Sequence, residues 1–211
     1  MYSYFIKHIK PICFILCTLP LAYLVYLYFS DQLGANPIET ITRYSGTWAL
    51  RMILITLVAT PLQRGLGAVW PFKIRRMLGL FAFFYVALHL SNYLVLDQFF
   101  DWVEIYYDLV ERPFIMAGMA AFILLIPLAL TSTKKMMRRL GKRWKPLHRM
   151  VYLIAALGIL HYFLLIKLGW LEPAIYLLIY LALMLMRLPV KQTLNRMLSP
   201  QPVPVQPPTD K

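Results

Sequence analysis

Histidine is the side chain of this sequence best suited to ligate a metal or relay a proton, and there are four. His8 stands between Lys7 and Lys10 and reads as a solvated interface residue. His89 and His161 lie inside long apolar runs, RRMLGLFAFFYVALHLSNYLVLD and KRWKPLHRMVYLIAALGILHYF, and His148 opens the second of these. An ionisable group inside a run long enough to cross a bilayer is costly and marks a functional candidate. His89 follows Arg76 by 13 residues, and His161 follows His148 by the same interval. At 1.5 Å per residue, each imidazole lies roughly 20 Å beyond a basic boundary. Two neutral imidazoles at matched depth on parallel helices are what a bis-imidazole haem requires, one nitrogen to each face of the iron. The bland alternative is a pair of packing histidines, each bonded to a neighbouring hydroxyl. Zinc and a proton path have less support: no Cys or carboxylate lies at comparable depth, and no Asp or Glu lies within the runs.

His148 could ligate a second haem on the basic side, about 20 Å from the first. Thirteen residues at about 100° each, however, leave His148 and His161 roughly 140° apart on a straight helix. Thirteen and fourteen residues before His89 stand Arg76 and Arg75, which cannot act as neutral ligands. These two arginines suit haem propionates, or another phosphate or carboxylate. One haem b is therefore expected, with a second as the weaker reading. Cys13 and Cys17, four residues apart, read as small buried residues rather than a redox pair.

The elements that carry these residues follow from apolar length. A spanning helix needs about 20 mostly apolar residues to cross about 30 Å of hydrocarbon. Residues 11–30, 44–62, 77–96, 113–133, 149–166 and 173–190 qualify, with Arg51 and Arg187 snorkelling from the ends of their runs. The expected fold is an all-α integral membrane protein: a six-transmembrane-helix bundle over residues 1–190, followed by a Pro-rich, disordered tail at 191–211. The first run reads as a retained helix, not a cleaved signal. A composition of 60% hydrophobic and 15% charged residues excludes a soluble globular domain, and two cysteines exclude a disulfide scaffold. A net charge of +13 would suggest nucleic acid on a soluble protein, but the long uncharged runs exclude nucleic acid here.

The charge instead labels the two sides. If the N-terminus, the 63–76 loop, the 134–149 segment and the C-terminus share one side, it holds every basic residue except Arg43, Arg51, Arg112 and Lys167. Every acid except Asp210 falls opposite. The positive-inside rule makes the basic side cytoplasmic and places both termini there. The segment KKMMRRLGKRWK is expected on anionic membrane lipids. The acidic stretch 97–111 is a solvated face that could also dock a soluble partner. No internal repeat, GxGxxG, Walker A sequence or CxxC is found, so a redox function must draw on a separate electron donor.

From about Gly34 to Arg187 the sequence resembles the MsrQ (YedZ) family of the ferric-reductase-like transmembrane group. The resemblance is carried by GANPIETITRYSGTWAL, TPLQR, RRMLGLFAFFYVALHLSNYLVLD, ERPFIMAGM and TSTKKMMRRLGKRWKPLHRMVYL with the late His161. The lone histidine of the third run is also characteristic. The resemblance implies a b-type cytochrome of the bacterial inner membrane, a subunit of a periplasmic methionine sulfoxide reductase system. Electrons would pass from the quinone pool to a molybdopterin partner, MsrP, for repair of oxidised envelope proteins. His89, His148 and His161 match the family's haem histidines. FMN is also implied, with no residue here assigned to it. About twenty residues follow Arg187, where NADPH-oxidising relatives carry a flavin and nucleotide domain, so quinol or a soluble flavin reductase on the cytoplasmic face is the expected donor. The chain itself is not expected to perform chemistry on sulfur. The alternatives are a direct ferric or other metal reductase of the same fold and, further off, a small transporter or scaffold.

Overall fold

Once water is absent, each main-chain N–H and C=O must be satisfied within its own segment, which turns the apolar runs into helices. The computed structural model describes residues 2–67, 69–167 and 169–187. It forms α1 (Tyr2–Phe29), α2 (Pro37–Leu66), α3 (Trp70–Asn92), α4 (Trp102–Glu111), α5 (Pro113–Leu130), α6 (Lys134–Leu140), α7 (Trp144–His148), α8 (Val151–Leu165) and α9 (Leu171–Leu185). A π-helical turn, Tyr93–Asp97, extends α3. Among the described residues every regular element is helical.

Local chemistry sets the boundaries. The Asn36 side chain accepts from the Glu39 N–H at 3.3 Å, Pro37 follows it, and Gly67 ends α2 at a φ of 66°. Asp101 caps α4 by accepting from Val103 and Glu104 at 3.0 and 3.1 Å. Pro113 then opens α5.

Four segments, His8–Phe29, Pro37–Gly65, Trp70–Asp97 and Pro113–Leu130, are long and apolar enough to cross a membrane. The stretch Lys134–His148 joined to Val151–Leu165 makes a fifth across a 40° bend. The chain is thus a multi-pass membrane protein. Helix α9 is apolar over 15 residues, about 22 Å of rise, which falls short of the hydrocarbon layer. The sixth expected run reached residue 190; its last three residues and the 191–211 tail lie outside the described residues.

Helix α2 packs along α3, and α5 along α8. Contacts of α3 with α5 and of α8 with α2 close these pairs into a ring, with α3 and α8 at opposite corners. Helix α1 leans on α3, and α9 on α8 and α2. Buried Ala49, Ala82, Ala121 and Ala155 let the backbones approach, and Leu57 and Ile154 are wholly enclosed.

Most polar groups inside this core find partners; among the described residues Thr42 Oγ1 and Arg187 Nε are buried without one. Arg51 does not simply reach for an interface: its Nε donates to the Tyr176 hydroxyl at 2.8 Å, and its guanidinium lies 5.0 Å from the Trp48 ring centre. Arg187 donates to the Leu57 carbonyl and the Tyr152 hydroxyl. The buried Tyr85 hydroxyl donates to the Cys17 carbonyl at 2.8 Å and accepts from the Leu21 N–H at 3.2 Å, two groups that an unbroken helix pairs with each other. Tyr85 thereby staples α1 to α3 through the α1 backbone. Replacing it by Phe is expected to lower unfolding stability in detergent by about 1 kcal/mol, the cost of releasing those main-chain groups. A denaturant titration giving Tyr85→Phe the wild-type midpoint would remove the staple from the account.

Candidate functional site

His89 on α3 and His161 on α8 face each other across the ring, their ring centroids 6.0 Å apart and their planes 78° apart. Each imidazole is aimed by the neighbouring helix. His89 Nδ1 lies 3.0 Å from the Thr42 carbonyl on α2, and His161 Nδ1 lies 2.6 Å from the Phe114 carbonyl on α5. A carbonyl can only accept, so in both rings Nδ1 carries the proton and Nε2 keeps its lone pair.

Close approach explains two glycines. A Cβ at Gly46 would stand 2.9 Å from His89 Cε1, and one at Gly118 would stand 2.9 Å from His161 Nδ1. Each glycine follows its accepting carbonyl by one helical turn, so carbonyl and glycine form a seat for the ring. The same device occurs twice. Thr42, Gly46 and His89 are matched by Phe114, Gly118 and His161, each 72 residues further along the chain. This is a repeat of geometry that the sequence conceals, because TRYSG and FIMAG share only the glycine.

Both histidines line a cavity of about 650 Å³, a size suited to a cofactor or substrate. Its deep wall is apolar, with Ile53, Leu125 and Ile154, while Arg43, Arg112, Asp97 and Glu172 stand at its other end. Thr42 Oγ1, buried and without a hydrogen-bond partner among the described residues, also lines it. A metal–imidazole bond is about 2.0 Å, with the ring centre roughly 1 Å behind the nitrogen, so two rings on one metal have centroids about 6 Å apart. The 6.0 Å between the two ring centroids matches that spacing. Among the described residues, no group of three His, Cys, Asp or Glu is placed to hold a metal ion.

His148 is placed elsewhere. It stacks on Trp144 at 4.0 Å, and its Nε2 lies 3.0 Å from Thr131 Oγ1. The Thr131 hydroxyl gives its proton to the Pro127 carbonyl at 2.6 Å, so it can only accept from His148. Nε2 of His148 is thus occupied as a donor. Neither Arg75 nor Arg76 lines the His89–His161 cavity; Arg75 is half-buried and Arg76 exposed. Cys13 and Cys17 are free thiols with sulfurs 4.0 Å apart. The sequence reading did not single out Gly46, Gly118, Arg43 or Arg112. Gly46 and Gly118 do stand within the TRYSG and ERPFIMAGM motifs, but nothing local says that a ring meets them.

Residues 45–159 match the family described as Ferric reductase like transmembrane component, which defines the class of this helical membrane bundle. Relatives narrow the class. A protein of Rhodospirillum rubrum named Protein-methionine-sulfoxide reductase heme-binding subunit MsrQ is 53% identical over 77% of this chain and 79% of its own length. Proteins of the same name from Herminiimonas arsenicoxydans and Azospira oryzae are 56% and 47% identical, over 73% and 89% of this chain and 71% and 81% of their own lengths. The chain belongs to the MsrQ family.

The glycine seats are directly testable. Gly46→Ala and Gly118→Ala should each displace a histidine ring and lower unfolding stability by about 1–3 kcal/mol through overpacking. Gly65→Ala, with nothing within 4 Å of the added methyl, should leave stability unchanged or raise it by up to about 1 kcal/mol. Equal effects at all three positions in a detergent unfolding titration would refute the seats.

Proposed function

We propose that this protein is a b-type cytochrome, an electron-transfer subunit that carries electrons from membrane quinol to a periplasmic molybdopterin methionine sulfoxide reductase, MsrP. In this role it supports repair of oxidised envelope proteins and leaves the sulfur chemistry to its partner. The observation that carries the reading is the His89–His161 pair, with centroids 6.0 Å apart and both Nδ1 atoms tied to carbonyls. A donor set of two opposed imidazoles fits a metal whose other four ligands arrive with it, as in haem. The apolar wall of Ile53, Leu125 and Ile154 fits a macrocycle. His89 and His161 would hold the iron, and Thr42 and Phe114 would fix the ring tautomers. Haem, when bound, supplies a one-electron carrier whose potential depends on axial ligation, hydrogen bonding and burial. A single haem is favoured, because Nε2 of His148 is already donated to Thr131.

The topology we propose has six spans in the bacterial inner membrane, with both termini cytoplasmic. Its support is the segregation of charge: basic 134–149 on one side, acidic 97–111 on the other. The start of α2 and the π-turn after α3 fall on the acidic side, with Arg43, Asp97 and Arg112 at the cavity rim. Electrons would therefore leave toward the periplasm. The donor is quinol, with a cytoplasmic flavin reductase at the basic face as the alternative. A second reading, direct reduction of ferric ion at the outer face, is favoured by the family match over residues 45–159.

Purified wild-type protein, expressed with ample haem supply, should show b-type bands in a reduced-minus-oxidised spectrum. His89→Ala and His161→Ala should each abolish them, and His148→Ala should not. Absence of the bands in wild type, or their survival in both of the first two variants, would sink the reading. Oxidised MsrP should reoxidise the reduced protein faster than a ferric chelate does; the reverse order would favour metal reduction.

A further inference from the structure

For a ligand with one anionic edge, the two ends of the His89–His161 cavity are not equivalent. The deep end, walled by Ile53, Leu125 and Ile154, offers nothing to a carboxylate, and burying two unpaired carboxylates there would cost far more than packing the macrocycle returns. The opposite rim carries two guanidiniums. Arg43 projects from the first turns of α2, and Arg112 stands at the α4–α5 corner.

Each guanidinium is held by a carboxylate that engages only part of it. Arg43 Nη2 meets the exposed Glu39 at its Oε1, 2.8 Å away. Arg112 Nε meets Asp108 Oδ1 at 2.9 Å, which leaves both of its Nη groups for another partner. Asp108 is a built support rather than a surface acid. Its side chain is 2% exposed, and its other oxygen accepts from the Tyr93 hydroxyl at 2.8 Å and from Gln98 at 3.1 Å. Tyr93 lines the same rim.

We infer that Arg43 and Arg112 bind the two propionates of the haem, so that its carboxylate edge points to this rim and its apolar edge to the Ile53–Ile154 wall. The inference rests on the haem reading above and takes Arg43 and Arg112 as the propionate partners in place of Arg75 and Arg76, which the sequence offers for propionates or another phosphate or carboxylate. Asp97 and Glu172 share the rim, so propionates entering there without the two arginines would meet like charge. Arginine suits the task because its planar fork pairs with a carboxylate through two N–H groups. The side chains of Arg43 and Arg112 are 65% and 50% exposed, so the contacts are partly screened and salt-sensitive.

The test crosses a change in the protein with a change in the ligand. Full-length apoprotein in detergent at low salt is titrated with haem or with haem dimethyl ester, whose propionates are esterified, and the bis-imidazole spectrum is followed. Wild type should bind haem roughly tenfold more tightly than the ester. Arg43→Gln/Arg112→Gln should keep the bis-imidazole spectrum, bind haem roughly tenfold more weakly, and lose the discrimination. Arg75→Gln/Arg76→Gln should keep it. Equal affinity of wild type for both ligands overturns the inference, and this arm needs no variant to fold. Full discrimination in the Arg43/Arg112 variant, or its loss in the Arg75/Arg76 variant, also overturns it. A wild type that forms no bis-imidazole spectrum with either ligand refutes the haem reading itself, a result distinct from all of these.

Discussion

An imidazole can ligate a metal only while its lone-pair nitrogen is held toward it, and in an apolar interior the other nitrogen must then give its proton to an acceptor. The chain meets that constraint with main-chain carbonyls, at Thr42 for His89 and Phe114 for His161. A helix carbonyl inside a turn already serves a backbone N–H, so the extra donor must come close in along the side of the helix. That is why a glycine stands one turn further on in each case: any Cβ there would occupy the ring's place. The constraint spreads outward. Each ring must be delivered from the adjacent helix at contact distance, which pairs α3 with α2 and α8 with α5. The two pairs must then set their histidines at opposite corners of one ring of helices.

The rim of the cavity answers a different demand. Arginines that are to meet an anion near the membrane surface need orienting partners, but a partner engaging the whole guanidinium would cancel it. Asp108 resolves this by bonding only Nε of Arg112 while spending its other oxygen on Tyr93 and Gln98. The amphipathic helix α4 thus serves as more than a connector. It carries Asp108 on the face turned to the bundle and leaves Trp102, Tyr106 and Tyr107 exposed, the composition of an interfacial helix. Deeper cations are treated otherwise. Arg51 and Arg187 receive tyrosine hydroxyls, a carbonyl and aromatic faces, with no carboxylate introduced into the spans.

The facing histidines were legible in the sequence because depth in a membrane helix is a count of residues: thirteen from Arg76 and thirteen from His148 put His89 and His161 level. Apolar length likewise disclosed the helices, and the cap residues Asn36 and Asp101 stand where their types demand. Helix α8, at 15 residues, is shorter than the run that carries it, because apolar Ile166 extends the run without extending the helix. Which partners a side chain meets across 47 residues is not a matter of length or composition. Gly46 looked like any glycine in a helix, and Arg43 and Arg112 looked like stray cations on the acidic side. Their significance comes from the tertiary ring that brings the start of α2 and the start of α5 to one end of one cavity.

The duplicated seat also bears on how many such sites the bundle can build. If the 72-residue offset that maps His89 onto His161 is carried one turn set earlier, it maps Arg76 onto His148. At the level of the cavity the pair is histidine on histidine, whereas at the other level it is arginine on histidine. A flat ligand gripped from both faces needs equivalent nitrogens on each side, and only the first pair offers them. At the other level the second imidazole is replaced by a permanent cation, and His148 turns its Nε2 proton to Thr131 and its face to Trp144. The two packed helix pairs thus differ at one level and keep their likeness at the other. The level that kept it is the one with the cavity.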